Sequence, residues 1–172
     1  ARTIRSTIRS NFFLGDLAAL RGRPAEAMRY NGLATATERR AGGGTAAALT
    51  GALDSIWVEV TQLGRTTGAR ARIDAALRAH PMEDVPAADR PWAQLTQMGI
   101  LLADPEVTRM AADGYERDIA PMTPDPDAAR VAARAARAFA ARRYDEAVSA
   151  TLEADRRFAW PRGHALVNVA RA

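Results

Sequence analysis

A short stretch of the sequence, Phe12 to Ala34, restricts the fold more than any other. Two apolar-periodic segments meet at Gly22-Arg23-Pro24. Leu14, Leu17, Ala18 and Leu20 recur at spacings of three and four before the break, and Ala27, Tyr30, Asn31 and Ala34 do so after it. Glycine past the end of one helix and proline in the first turn of the next are the residues that stop and restart a helix. The stretch predicts a helical hairpin. Gly15 and Ala27, twelve residues apart, are expected to face each other where the two helices cross, because larger side chains there would hold the axes beyond the usual 8–10 Å.

The order Leu14-Gly15, break, Ala27, Tyr30, Ala34 resembles the tetratricopeptide repeat. That family has Leu-Gly in the first helix and Ala, an aromatic and Pro in or after the second, over about 34 residues. Later segments extend the resemblance. Gly99 and Ala111 repeat the twelve-residue interval, as do Ala135 and Ala147, and Arg142-Arg143-Tyr144-Asp145-Glu146-Ala147 matches the family's inter-helix turn. Units of 8–40, 46–81, 92–120 and 127–159 follow, with a closing helix over 163–172. In the second unit Ala69, Ile73, Ala76 and Pro81 fit, whereas Trp57 stands where Gly15 does, so that crossing is wider or its loop longer. The resemblance implies a right-handed superhelix of antiparallel hairpins.

Composition agrees with an all-helical chain. Alanine fills 40 of the 172 positions, which raises helix propensity and leaves strands little β-branched or aromatic material. Ala41-Gly42-Gly43-Gly44 reads as a loop, and Met82–Pro91 and Pro121–Pro126 as polar, proline-rich connectors. Asp104 is expected to cap a helix whose first residue is Pro105. Thr-Ile-Arg-Ser repeats over Arg2–Ser10, placing Ile4, Ile8 and Phe12 on one face and extending the first helix backwards. Chain start Ala-Arg-Thr suggests a domain excised from a longer protein, and the absence of any long apolar run suggests a cytoplasmic one. All 24 basic residues are arginine and cysteine is absent, which fits a GC-rich bacterial genome and excludes disulfides.

Little points to chemistry. The two histidines, His80 and His164, lie at predicted helix ends, no metal-ligand or nucleophile motif is present, and Asp54 and Glu59 fall on different helical faces. Neither a catalytic residue nor a cofactor or metal is expected. What remains is surface. In the family, the first helices of successive hairpins line a concave groove, and the resemblance places there Arg9, Phe12, Asp16 and Leu20, then Asp54, Val58 and Thr61, then Thr96, Ile100 and Ala103, then Ala132, Ala136 and Phe139. The lysine and asparagine set with which chaperone-binding members clamp a terminal carboxylate is missing. The expected role is therefore a non-catalytic protein-binding module for a peptide or partner helix, as in the regulatory part of a kinase or transcriptional regulator. The alternative is nucleic-acid binding through Arg130, Arg134, Arg137, Arg142 and Arg143; acidic Asp145 and Glu146 and the scarcity of stacking aromatics weigh against it.

Overall fold

The computed structural model describes residues 2–158, which are helical with no strand. The expected closing helix over 163–172, the last residue of the fourth unit and His164 lie outside the described residues. The chain divides into two compact units, Ala1–Asp89 and Arg90–Ala172. The first holds α1 (Arg2–Leu20), α2 (Pro24–Arg40), α3 (Gly44–Leu63) and α4 (Ala69–Ala79), followed by single 3-10 turns at Met82–Asp84 and Ala87–Asp89. The second holds α5 (Trp92–Leu101), α6 (Pro105–Gly114), α7 (Pro126–Ala140) and α8 (Tyr144–Phe158). Between α6 and α7 the chain makes a π turn at Tyr115–Ile119 and a 3-10 turn at Ala120–Met122.

Four of the connections are the same object. Three residues separate α1 from α2, α2 from α3, α5 from α6 and α7 from α8. The middle one has a positive φ each time: Gly22 at 69°, Gly42 at 95°, Ala103 at 50° and Arg142 at 59°. The third residue's amide donates to a carbonyl five residues back: Arg23 to Ala18 at 2.9 Å, Gly43 to Glu38 at 2.9 Å, Asp104 to Gly99 at 2.8 Å and Arg143 to Ala138 at 2.9 Å. With the middle amide bonded three residues back, this is a Schellman close, which satisfies the last carbonyls of the ending helix. The α3–α4 connection differs. It spans five residues between Gly64 and Gly68, both at positive φ, so the misfit at Trp57 coincides with a longer loop.

The shared turn sets a shared crossing. Four residues before and five after the middle residue stand Ala18 and Ala27, which lie in one buried cluster, and Gly99 and Thr108. A Cβ added to Gly99 would come 2.7 Å from the Thr108 amide nitrogen. The approach at Gly99 therefore falls on Thr108, one turn earlier than the expected Ala111. Seven before and nine after stand Gly15 with Asn31, and Thr35 with Gly51. A Cβ on Gly15 would collide with the Asn31 amide oxygen and lie 3.4 Å from the Ala27 carbonyl, and one on Gly51 would lie 2.6 Å from Thr35 Cγ2. The same offsets give Thr96 with Ala112 and Ala135 with Thr151. Each pair joins one Gly or Ala to one Asn or Thr.

The packed face of α1 carries the small residues, Gly15 at the crossing among them. Gly15 and Ala18 are buried while Leu14, Leu17 and Leu20 are exposed. A close crossing requires small residues on the inside, so the leucines turn outward. In each unit the third helix covers the hairpin before it. Val58 on α3 shares a buried cluster with Ala18 and Ala27, and α7 contacts both α5 and α6. Asp104 caps α6, accepting from the amides of Glu106 at 3.1 Å and Val107 at 3.0 Å. Asp125, also followed by proline, caps α7 through the Ala128 amide at 3.0 Å.

Candidate functional site

The groove residues named from the resemblance divide between the units, and the structure treats them unequally. Arg9, Asp16 and Leu20 are exposed on α1, and Phe12 is half-buried beside them. Partial desolvation raises the Asp16 carboxyl above its ordinary value. Asp54 and Thr61 on α3 are half-buried. Val58 is core, only 3% exposed, so it offers a ligand no surface: as the residue that plugs α3 into the α1–α2 hairpin it is inaccessible. In the second unit Thr96, Ile100, Ala132 and Phe139 are half-buried. Phe139 lies edge-on to Tyr144 at 5.8 Å between ring centroids. Ala136 is buried with Ala112 and Ala133 between α6 and α7, and Ala103 is an exposed turn residue, so neither lines a helix face open to a ligand.

A second apolar face emerges on α1. Phe13, Leu17 and Leu20 are 64%, 42% and 85% exposed. Spacings of four and three put them on one ridge, on the side opposite Gly15 and Ala18. Their helical period was visible in the sequence. The sequence placed Gly15 at the crossing; what it did not reveal is that Phe13, Leu17 and Leu20 together would form an exposed ridge opposite it.

The arginine stripe of α7 is largely engaged by carboxylates. Arg130 pairs with Asp127 at 2.6 Å, Arg134 with Glu153 at 2.8 Å and Arg143 with Glu146 at 2.8 Å. Arg137 forks to Asp113 at 2.9 Å and to Glu116. An open cleft of about 420 Å³ between α6 and α7 is lined by Glu106, Arg109, Arg137 and Arg143, the last two being members of these pairs. A phosphate would have to displace carboxylates to reach most of the stripe.

The tightest polar cluster is one that the sequence reading missed. The Asp118 side chain, 8% exposed, accepts from Arg90 Nη1 at 2.7 Å and from the Trp92 indole N–H at 2.8 Å. Arg117 adds bonds of 2.7 and 2.9 Å to its two oxygens. These bonds, Arg117's first, hold the carboxyl far below the usual carboxylate range. The Arg117 guanidinium lies 5.7 Å from the Trp92 ring centre. Gly114 admits the indole, since a Cβ there would fall 2.7 Å from Trp92 Cε3. The π turn carries Asp118 beneath Trp92. One signal was available: a buried Trp needs an acceptor for its N–H. Every Asp118 bond is spent inside the fold, so the cluster clamps α5 to the π turn and exposes no reactive group.

Among the described residues no group of three or more His, Asp or Glu is arranged to hold a metal ion, and no helix is long and apolar enough to cross a membrane. Comparison of the chain with protein-family models, with curated proteins and with solved structures returned no match.

Proposed function

We propose that this chain is a non-catalytic protein-interaction module whose hairpins stack in the manner of tetratricopeptide repeats, and that it captures a peptide or a partner helix. The observation that carries the reading is the fourfold recurrence of one inter-helix turn. Architectures that iterate a hairpin present extended side-chain surfaces and few enclosed cavities, and such surfaces suit polypeptides. Candidate contacts are Arg9, Phe12, Asp16, Leu20 and Asp54 in the first unit, and Ile100 and Phe139 in the second. Affinity should come mainly from apolar burial, with weak dependence on salt. A role within a larger regulatory protein, in the cytoplasm, accords with this.

Affinity capture with the full chain tests the reading. A protein partner that survives nuclease treatment and moderate salt, and that Phe12→Ala or Phe139→Ala weakens by more than about 1 kcal/mol, supports it. Recovery of nucleic acid alone, lost steeply with salt and sensitive to Arg134 and Arg137, would replace it with the alternative.

A further inference from the structure

Helix α1 is apolar on two sides and covered on one. Its inner side, Gly15 and Ala18, is buried against α2 and α3. Its outer side carries Phe13, Leu17 and Leu20 in solvent. Helix α7 shows how this chain completes such an element: Ala133 and Ala136 pack toward α6, and Val131 and Ala135 pack toward α8. Both sides are covered there, each by a helix. The α1 ridge runs over the eight residues from Phe13 to Leu20, about 10 Å along the axis, which matches two turns of a partner helix.

Charge selects among partners. The first 30 residues hold six arginines (2, 5, 9, 21, 23 and 29) against Asp16 and Glu26, a balance of +4, the net charge of the whole chain. Arg9, exposed, is one turn from Phe13. Beside the ridge itself stand exposed Arg9 and Arg21, the latter one turn from Leu17, against Asp16, one turn from Phe13 and Leu20; the surplus is basic, so a second copy would meet like charge and an acidic flank would be attracted.

We propose that the Phe13–Leu17–Leu20 ridge of α1 docks an amphipathic helix of another protein, with apolar residues at i, i+4 and i+7 and carboxylates on its flanks. This rests on the chain being a protein-interaction module, and it adds a surface and a partner chemistry that the repeat resemblance does not supply. Leu20, assigned to a groove by that resemblance, belongs to this ridge.

Two synthetic helical peptides with the same apolar ridge, one glutamate-flanked and one lysine-flanked, are titrated by fluorescence anisotropy against the full chain. The glutamate peptide should bind at least tenfold tighter than its twin. Phe13→Ser with Leu17→Ser, neither of them a groove candidate, should weaken it at least tenfold, the scale of a lost hot spot, with helical circular dichroism unchanged because both side chains are exposed. Arg9→Glu should weaken it and flatten its salt dependence. Failure of the glutamate peptide to bind, equal binding of the two, or equal binding by the double variant overturns the proposal. So does sedimentation showing a dimer of the free chain that the double variant dissociates. If the double variant still captures the protein partner that supports the module reading, this inference falls and that reading stands. If no protein is captured at all, the reading falls on its own experiment.

Discussion

Asp118 is a carboxylate whose removal should be felt across the second unit, because three donors depend on it. In Asp118→Ala the buried Trp92 indole N–H loses its acceptor, and Arg90 and Arg117 each lose a carboxylate partner. Leaving a buried donor unsatisfied costs about 1–3 kcal/mol, which urea denaturation would measure. The pH dependence has a definite sign. A carboxyl held below its unfolded value stabilises fully above that value and loses its contribution as pH falls through the folded one. The deficit of Asp118→Ala should thus persist from neutrality down to about pH 4, the unfolded range, and shrink only in stronger acid. Glu38 has the opposite sign. Burial first, and then the nearby Asp89, raise its carboxyl, so its ionisation works against folding as pH rises. Glu38→Gln should raise the thermal midpoint at pH 7 and leave it unchanged well below pH 4.

At the scale of the element, the recurrent turn turns glycine chemistry into matched experiments. Gly32 lies within α2 with nothing within 4 Å of an added Cβ, so Gly32→Ala should stabilise by about 0.5–1 kcal/mol through helix propensity. Gly99→Ala would gain the same propensity, but its Cβ would meet Thr108 backbone at 2.7 and 2.9 Å. The added methyl should overpack the crossing and reverse the sign, for a net loss of about 1–3 kcal/mol. Where the left-handed residue is not glycine, at Ala103 and Arg142, substitution by glycine should stabilise by about 1 kcal/mol. Equal midpoints for Gly32→Ala and Gly99→Ala would contradict the crossing. These elements also show what a sequence discloses. Helix ends were legible because they are local: Gly22-Arg23-Pro24, Asp104-Pro105 and the 64–68 break all fall where the structure puts them. The face each helix packs was less so. Periodicity marks both a leucine ridge and a glycine-alanine ridge on α1, and only the distance between axes decides which goes inward. The interval of twelve found Gly15 near Ala27 but missed Thr108, because the crossing is set by the turn, and the third hairpin's glycine sits one helical turn nearer to it. The Asp118 cluster depends on a π turn, which carries no periodic signal.

For the molecule as a whole, the division at Asp89 and Arg90 predicts two folding units. Leu49, Leu53, Ile73 and Val85 are fully buried in the first, and Leu95, Met98, Val107 and Thr108 in the second. Each unit is of a length at which small domains fold alone, albeit with modest stability. Val85, 1% exposed, stays with the first unit, and Arg90 stays with Asp118 in the second. Pro86 to Asp89 are exposed, so the chain is accessible where it would be cut. Fragments 1–89 and 90–172, produced separately, should each show helical circular dichroism and a cooperative urea transition, the second losing its transition sooner when Asp118→Ala is introduced and the first indifferent to that change. A fragment that is unstructured alone, or a first fragment whose stability responds to substitution at 118 when the two are mixed, would contradict independent units.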